Sequence, residues 1–150
     1  WGEASRCYSA CRFYRCKKAG FFMTTATTAP SNILIIIHAP PYGSERCLSA
    51  LRLALALAGH TQSAENAPRV QVFLMSDAVG LALPNQQDAS GKPLQVMVQE
   101  LAALHVPVLL CRTCVLARGL MDLPLIDGCR IGTLDELAAA TIQADKVLTF

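Results

Sequence analysis

Asn32-Ile33-Leu34-Ile35-Ile36-Ile37-His38 is a continuous apolar, β-branched run, the pattern of a parallel strand buried on both faces. Ala39-Pro-Pro-Tyr-Gly43 breaks it, and Ser44 stands where a helix N-cap belongs. The spacing that follows predicts a helix from Glu45 to about Ala58, closed by Gly59. Leu48, Leu51, Leu55 and Ala58 share one side of it while Leu53 and Leu57 lie off that side, so it should touch both a sheet and a neighbour. The same alternation repeats downstream. Residues 70–75 (Val-Gln-Val-Phe-Leu-Met) read as a second strand, with Ser76-Asp-Ala-Val79 as its turn. Residues 84–92 form a polar, turn-rich loop expected to be mobile. A helix carrying Leu94, Met97, Val98, Leu101 and Leu104 then leads to a third strand over 106–110. Gly119 should end a short helix, and residues 123–132 hold a turn and one short strand. Thr133 caps a helix with Leu134, Leu137, Ala138 and Ile142 on one side, and residues 146–150 close the chain as a strand. Strands alternating with helices predict an α/β fold in a single domain, its mainly parallel sheet covered on both faces.

The composition narrows what such a domain does. The chain has 150 residues, 53% hydrophobic and 16% charged, yet no apolar run approaches the roughly 20 residues that cross a bilayer. That excess of apolar side chains must be buried in protein, which for so short a chain points to homo-oligomerisation. Residues 1–22 hold Arg6, Arg12, Arg15, Lys17 and Lys18 against Glu3, so the net charge of +2 hides a mildly acidic body. Without a clustered basic face, nucleic-acid binding is not expected, nor is a membrane partner. The first methionine is Met23, and residues 1–31 read as a leader or upstream extension kept apart from the fold over 32–150. Seven cysteines, an odd number, including one Cys-x-x-Cys in an α/β pattern and no secretory segment, indicate a reducing compartment, by default the cytoplasm. Cys7, Cys11 and Cys16 lack a histidine partner or zinc-like spacing, so neither metal nor cofactor is expected.

The chemistry concentrates in Cys111-Arg-Thr-Cys114-Val-Leu-Ala-Arg118-Gly119, directly after the third strand. A thiol where a strand passes into a helix meets unpaired amides and the positive end of the macrodipole, and should ionise readily. Cys111 has that place. Its alternative is an inert core cysteine, a common fate of the residue. Cys114 lies one turn on, set to resolve Cys111 or to pack. Arg118 would stabilise the thiolate or act as an ordinary helix C-terminal arginine. The loops after the other two strands converge on the same edge, where ligands bind in such sheets. They supply Tyr42, Gly43, Ser44 and Glu45, and Ser76 and Asp77, as candidate substrate-binding residues. Asp77 reads first as a turn cap and Glu45 first as a first-turn acid, while Ser44 with Gly43 could hold an anion at a helix N-terminus. No Gly-x-Gly-x-x-Gly or P-loop pattern is present.

Ala39-Pro-Pro-Tyr-Gly-Ser-Glu45, Phe73-Leu-Met-Ser-Asp-Ala-Val79, Leu110-Cys-Arg-Thr-Cys114, Leu123-Pro-Leu-Ile-Asp-Gly128, Ile131-Gly-Thr-Leu134 and Ala144-Asp-Lys-Val-Leu-Thr-Phe150 resemble the DsrE/DsrF-like sulfur-relay family, in particular its YchN branch. The resemblance runs in order over about residues 32–150. It implies a three-layer α/β/α fold with a mostly parallel five-stranded sheet, assembled as a trimer or hexamer. It also implies a persulfide-carrying cysteine seven residues before an Arg-Gly pair, which here is Cys111 before Arg118-Gly119. That cysteine would receive sulfane sulfur from a donor protein and pass it to an acceptor, making the chain a sulfurtransferase in the carrier sense. Cys114 departs from many carriers of the family. Two other readings stay open on the residues alone: a Cys111/Cys114 thiol–disulfide switch, and a non-catalytic oligomeric module that binds a small anion.

Overall fold

The computed structural model describes residues 31–60, 68–87 and 94–150. Strands β1 (Asn32–Ile37), β2 (Arg69–Leu74), β3 (Val108–Cys111), β4 (Cys129–Gly132) and β5 (Lys146–Thr149) form one sheet in the order β4-β3-β2-β1-β5. All four pairings are parallel. Helices α1 (Arg46–His60), α2 (Leu94–Ala103), α3 (Arg112–Ala117) and α4 (Leu134–Gln143) connect them, with a 3-10 segment (Ser76–Ala82) after β2. Parallel strands need a crossover between them, and crossovers in one sheet are right-handed. The connections from β1 to β2 and from β2 to β3 step one way across the sheet. The connection through α4 returns past β1 to β5, so that helix lies on the opposite face.

The two faces divide the strand residues by parity. Ile33, Ile35 and Ile37, Val70, Val72 and Leu74, and Val108 and Leu110 pack with Cys47, Leu51 and Ala54 of α1 and Val98 and Leu101 of α2. Leu34, Phe73, Leu109 and Cys111 pack with Leu137 of α4 on the other face. The unbroken apolar runs are therefore explained: neighbouring residues are buried in different layers. The three-layer α/β/α expectation holds, with a sheet that is parallel throughout.

Local readings hold in some places and fail in others. Thr133 caps α4 as expected: its hydroxyl accepts from the Glu136 amide at 3.2 Å, and the Glu136 carboxylate accepts from the Thr133 amide at 2.7 Å. Gly119 follows α3 with φ +66, the left-handed turn that a helix end favours. Gly59 does not close α1, which begins at Arg46 and runs through Gly59 to His60. β2 and β3 are each displaced from the expected spans, β2 starting at Arg69 and β3 at Val108 after Pro107. The stripe expected on α4 is a further correction. Only Leu137 of it is buried, while Leu134 and Ile142 are 62% and 85% exposed, because α4 meets the sheet through Leu137, Ala140 and Ala144. Residues 1–30, with the Cys7/Cys11/Cys16 group, and residues 88–92 of the polar loop lie outside the described residues. Among those described, no helix is long and apolar enough to cross a membrane.

Candidate functional site

Cys111 is at once the last residue of β3 and the N-cap of α3. The parallel ladder fixes it opposite Gly132 of β4, on the same face as Leu109 and Phe73, and it is 2% exposed. Its sulfur lies 3.1 Å from the Thr113 hydroxyl. The amides of Thr113 and Cys114 lie near it without closing a cap hydrogen bond. Burial pushes the thiol up. The Thr113 hydroxyl, the Cys114 amide, the Cys114 thiol and the Thr113 amide outweigh burial and bring Cys111 below the ordinary thiol range.

Cys114 is half-buried on the first turn of α3. Its sulfur accepts a hydrogen bond from the Ser76 amide at 3.2 Å, across the crevice between the ends of β2 and β3. Ser76 has φ +49, so the 3-10 segment starts from a left-handed residue that presents its amide to the sulfur. Burial, the hydrogen bond to Cys111 and the Cys111 charge raise Cys114, against the Ser76 amide and the Arg118 charge, which lower it. The two thiols thus diverge, with Cys111 the one favoured as thiolate.

Arg118 is the C-cap of α3 and does not stand free beside the thiolate. Its Nε and Nη2 donate to Asp77 Oδ1 at 3.1 and 2.7 Å, and its Nη1 donates to the Cys114 carbonyl at 3.1 Å. Asp77 is therefore the arginine's partner, pinning the end of α3 to the 3-10 segment. The structure brings Cys111, Cys114, Arg118, Ser76 and Asp77 together. The turn after β1 is a separate neighbour: Tyr42, Gly43, Ser44 and Glu45 are exposed, with Gly43 at φ +93. Pro41 brings that turn against the 3-10 segment, since a Cβ added to Gly80 would sit 3.4 Å from the proline ring. Among the described residues, no hydrogen bond joins Gly43, Ser44 or Glu45 to either thiol.

Sequence reasoning did not single out Thr113, although it lies inside the Cys-x-x-Cys motif and a hydroxyl two residues after an N-cap thiol was a readable signal. It named Ser76, but the contact is made by the main-chain amide. The other described cysteines behave differently. Burial pushes Cys47 and Cys129 up to about 11. A cavity of about 530 Å³ opens at the far end of the sheet, lined by Asn32, Arg69, Gln71, His105 and Gln143 among others, and no cysteine borders it. Among the described residues, no group of His, Cys, Asp or Glu could hold a metal ion.

A parallel α/β/α sheet with a polarised thiol pair at one strand-to-helix junction defines a class of cysteine-bearing three-layer proteins. The profile of the DsrE/DsrF-like family matches residues 31–150, and the chain belongs to that family. It is 49% identical over 118 residues to Protein YchN of Escherichia coli (strain K12), covering 79% of this chain and 97% of that protein. An uncharacterised protein of Methanocaldococcus jannaschii, MJ0989, is 34% identical, with 77% of this chain and 96% of that protein covered. The crystal structure of the ychN protein from E. coli superposes with a TM-score of 0.74 at 48% identity, covering 80% of this chain and 99% of that one.

Proposed function

We propose that this protein is a cytoplasmic sulfur-relay protein that carries sulfane sulfur as a persulfide on Cys111 and hands it to an acceptor. The observation that carries the reading is the set of donors around the Cys111 sulfur, led by the Thr113 hydroxyl at 3.1 Å, which favours a thiolate despite burial. A thiolate is the nucleophile that sulfur transfer needs. Cys114 and Arg118 complete the reacting group, and Ser76 and Asp77 hold it in place. The exposed turn of Tyr42, Gly43, Ser44 and Glu45 shapes the approach of donor and acceptor proteins. No cofactor, metal or nucleic acid takes part. The chain works as a homo-trimer or homo-hexamer, for which the exposed Leu134, Ile142 and Val147 provide apolar contact surface.

The test is mass spectrometry of the intact protein after incubation with a persulfide donor. Cys114→Ser, which has no neighbouring thiol to displace the added sulfur, should gain one sulfur atom that reductant removes, and Cys111→Ser should gain none. Sulfur gain that persists in Cys111→Ser sinks the assignment. A thiol–disulfide switch is the second reading, favoured by the placement of Cys111 and Cys114 at the N-cap and third residue of one short helix. It predicts the loss of two hydrogens, dependent on both cysteines, with no sulfur gained by Cys114→Ser and no hydrosulfide released by wild type.

A further inference from the structure

The first turn of α3 has a counterpart in the same sheet. At the start of α4 the N-cap and the third helical residue, Thr133 and Glu136, reach each other reciprocally. In α3 those two positions are Cys111 and Cys114. Residues at these two positions face each other across the first helical turn, the separation at which a Cys-x-x-Cys pair can close a disulfide. Two contacts from outside the turn hold Cys114 there. The left-handed Ser76 donates its amide to the Cys114 sulfur at 3.2 Å, in a conformation that non-glycine residues rarely adopt. Arg118 ties the Cys114 carbonyl to Asp77, on the same 3-10 segment. A pure carrier has no need of a second thiol fixed in this way.

Resting on the persulfide reading of Cys111, we infer that Cys114 is a resolving thiol, so that the protein reduces the sulfane sulfur of low-molecular-weight persulfides to hydrosulfide when no acceptor takes it. In the loading step the Cys111 thiolate attacks the outer sulfur of the donor. The donor's S–S bond breaks, its departing thiolate takes the proton of the outer sulfur and leaves as the thiol, and Cys111 becomes the persulfide anion Cys111–S–S⁻. In the discharge step the Cys114 sulfur attacks the inner, Cys111 sulfur. The Cys111–Cys114 bond forms, the bond to the outer sulfur breaks, and the Cys114 proton goes to that outer sulfur, which leaves as hydrosulfide. The sulfane sulfur gains two electrons and the two thiols lose two. A dithiol reductant then restores the pair.

The order of events follows from what surrounds Cys114. Before loading, burial, the hydrogen bond to Cys111 and the Cys111 charge hold the proton on Cys114. Loading moves that charge one atom outward and takes away the acceptor on the inner sulfur. The Ser76 amide and the Arg118 charge remain, and both favour a Cys114 anion. Discharge is therefore triggered by loading.

The experiment uses the full chain with Cys7, Cys11 and Cys16 replaced by Ser, loaded with glutathione persulfide and desalted at once. Hydrosulfide is trapped with monobromobimane while intact mass and peptide mapping follow the protein. The expected result is one hydrosulfide released per chain and a Cys111–Cys114 disulfide, while Cys114→Ser and Cys114→Ala keep the added sulfur and release hydrosulfide at least tenfold more slowly. Thermal melting of both variants is the control that they are folded. If the unsubstituted pair keeps its sulfur as long as Cys114→Ser does, the resolving role is overturned and the carrier reading stands. If no variant with Cys111 gains sulfur, the carrier reading itself fails.

Discussion

Cys47 and Cys111 start from nearly the same circumstances and end as opposite kinds of thiol. Each stands at the beginning of a helix that follows a strand, Cys47 as the second residue of α1 and Cys111 as the N-cap of α3. Both are closed off from solvent, at 0% and 2% exposure. Yet burial pushes Cys47 up to about 11, whereas Cys111 falls below the ordinary thiol range. The direction of their hydrogen bonds separates them. The Cys47 thiol donates to the Ala39 and Pro40 carbonyls at 3.2 and 3.3 Å, contacts that keep its proton in place. The Cys111 sulfur is ringed by a hydroxyl, a thiol and two amides that can give it hydrogen bonds. A helix start and a low exposure do not by themselves make a reactive thiolate; the surroundings must donate.

The largest consequence is in reactivity. At neutral pH a thiol at about 11 holds roughly 100-fold less thiolate than one at 9, and Cys111 lies on the far side of that reference. Iodoacetamide at pH 7.5 should therefore label Cys111 at least about 100-fold faster than Cys47, followed residue by residue through peptide mass spectrometry. Their matching exposure removes access as the explanation. Equal labelling rates would break the comparison, because hydrogen-bond direction would then not govern either thiol.

Stability against pH sharpens the same contrast through its sign. Cys47 is raised in the folded state, so its contribution is complete below about pH 9 and is lost as pH rises toward 11, where the unfolded chain ionises first. At about 1.4 kcal/mol per pH unit the loss reaches about 2 kcal/mol by pH 11. Cys129 adds in the same direction. Cys111 is lowered, so it stabilises the fold above the unfolded thiol range, and that contribution disappears as pH falls through its folded value. Urea midpoints at pH 8 and pH 10.5 should fall steeply for wild type and less steeply for Cys47→Ala. A slope that Cys47→Ala leaves unchanged would show that burial does not hold this thiol protonated.

Most of the architecture was legible because it is written in short-range pattern. The β-branched run over residues 32–37 announces a doubly covered strand, Thr133 announces a cap, and Gly119 announces a helix end. Periodicity tells which residues share a side of a helix, but not which side the sheet takes, and so the α4 stripe through Leu134 and Ile142 was misplaced. Gly59 failed as a stop because nothing there forces a left-handed turn, and α1 continues through it. The thiol motif was visible as a motif. Its wiring was not, since Ser76 and Cys114 are 38 residues apart, and Asp77 and Arg118 are 41 apart. No local pattern joins such pairs, and one of the contacts uses a main-chain amide that any residue other than proline carries.

The smallest expected effect tests whether Cys111 is in place for its chemistry or for its helix. Thr133 closes a complete capping box, so Thr133→Ala should cost about 1 kcal/mol and lower the melting temperature by about 4 °C. Cys111 occupies the equivalent position without a closed cap bond, and serine is a better cap than cysteine. In Cys111→Ser the new hydroxyl reaches the Thr113 or Cys114 amide, offsetting its placement beside Leu34, Phe73 and Leu109. The net change should stay within about 0.5 kcal/mol, a shift of about 2 °C or less, while sulfur loading disappears. Melting curves of the two variants, measured side by side, decide the matter. If Cys111→Ser melts as early as Thr133→Ala, the thiol supports the fold, and its polarised sulfur would be a by-product of packing. If it melts with wild type, the junction has given up the better cap for a residue whose only advantage there is its sulfur.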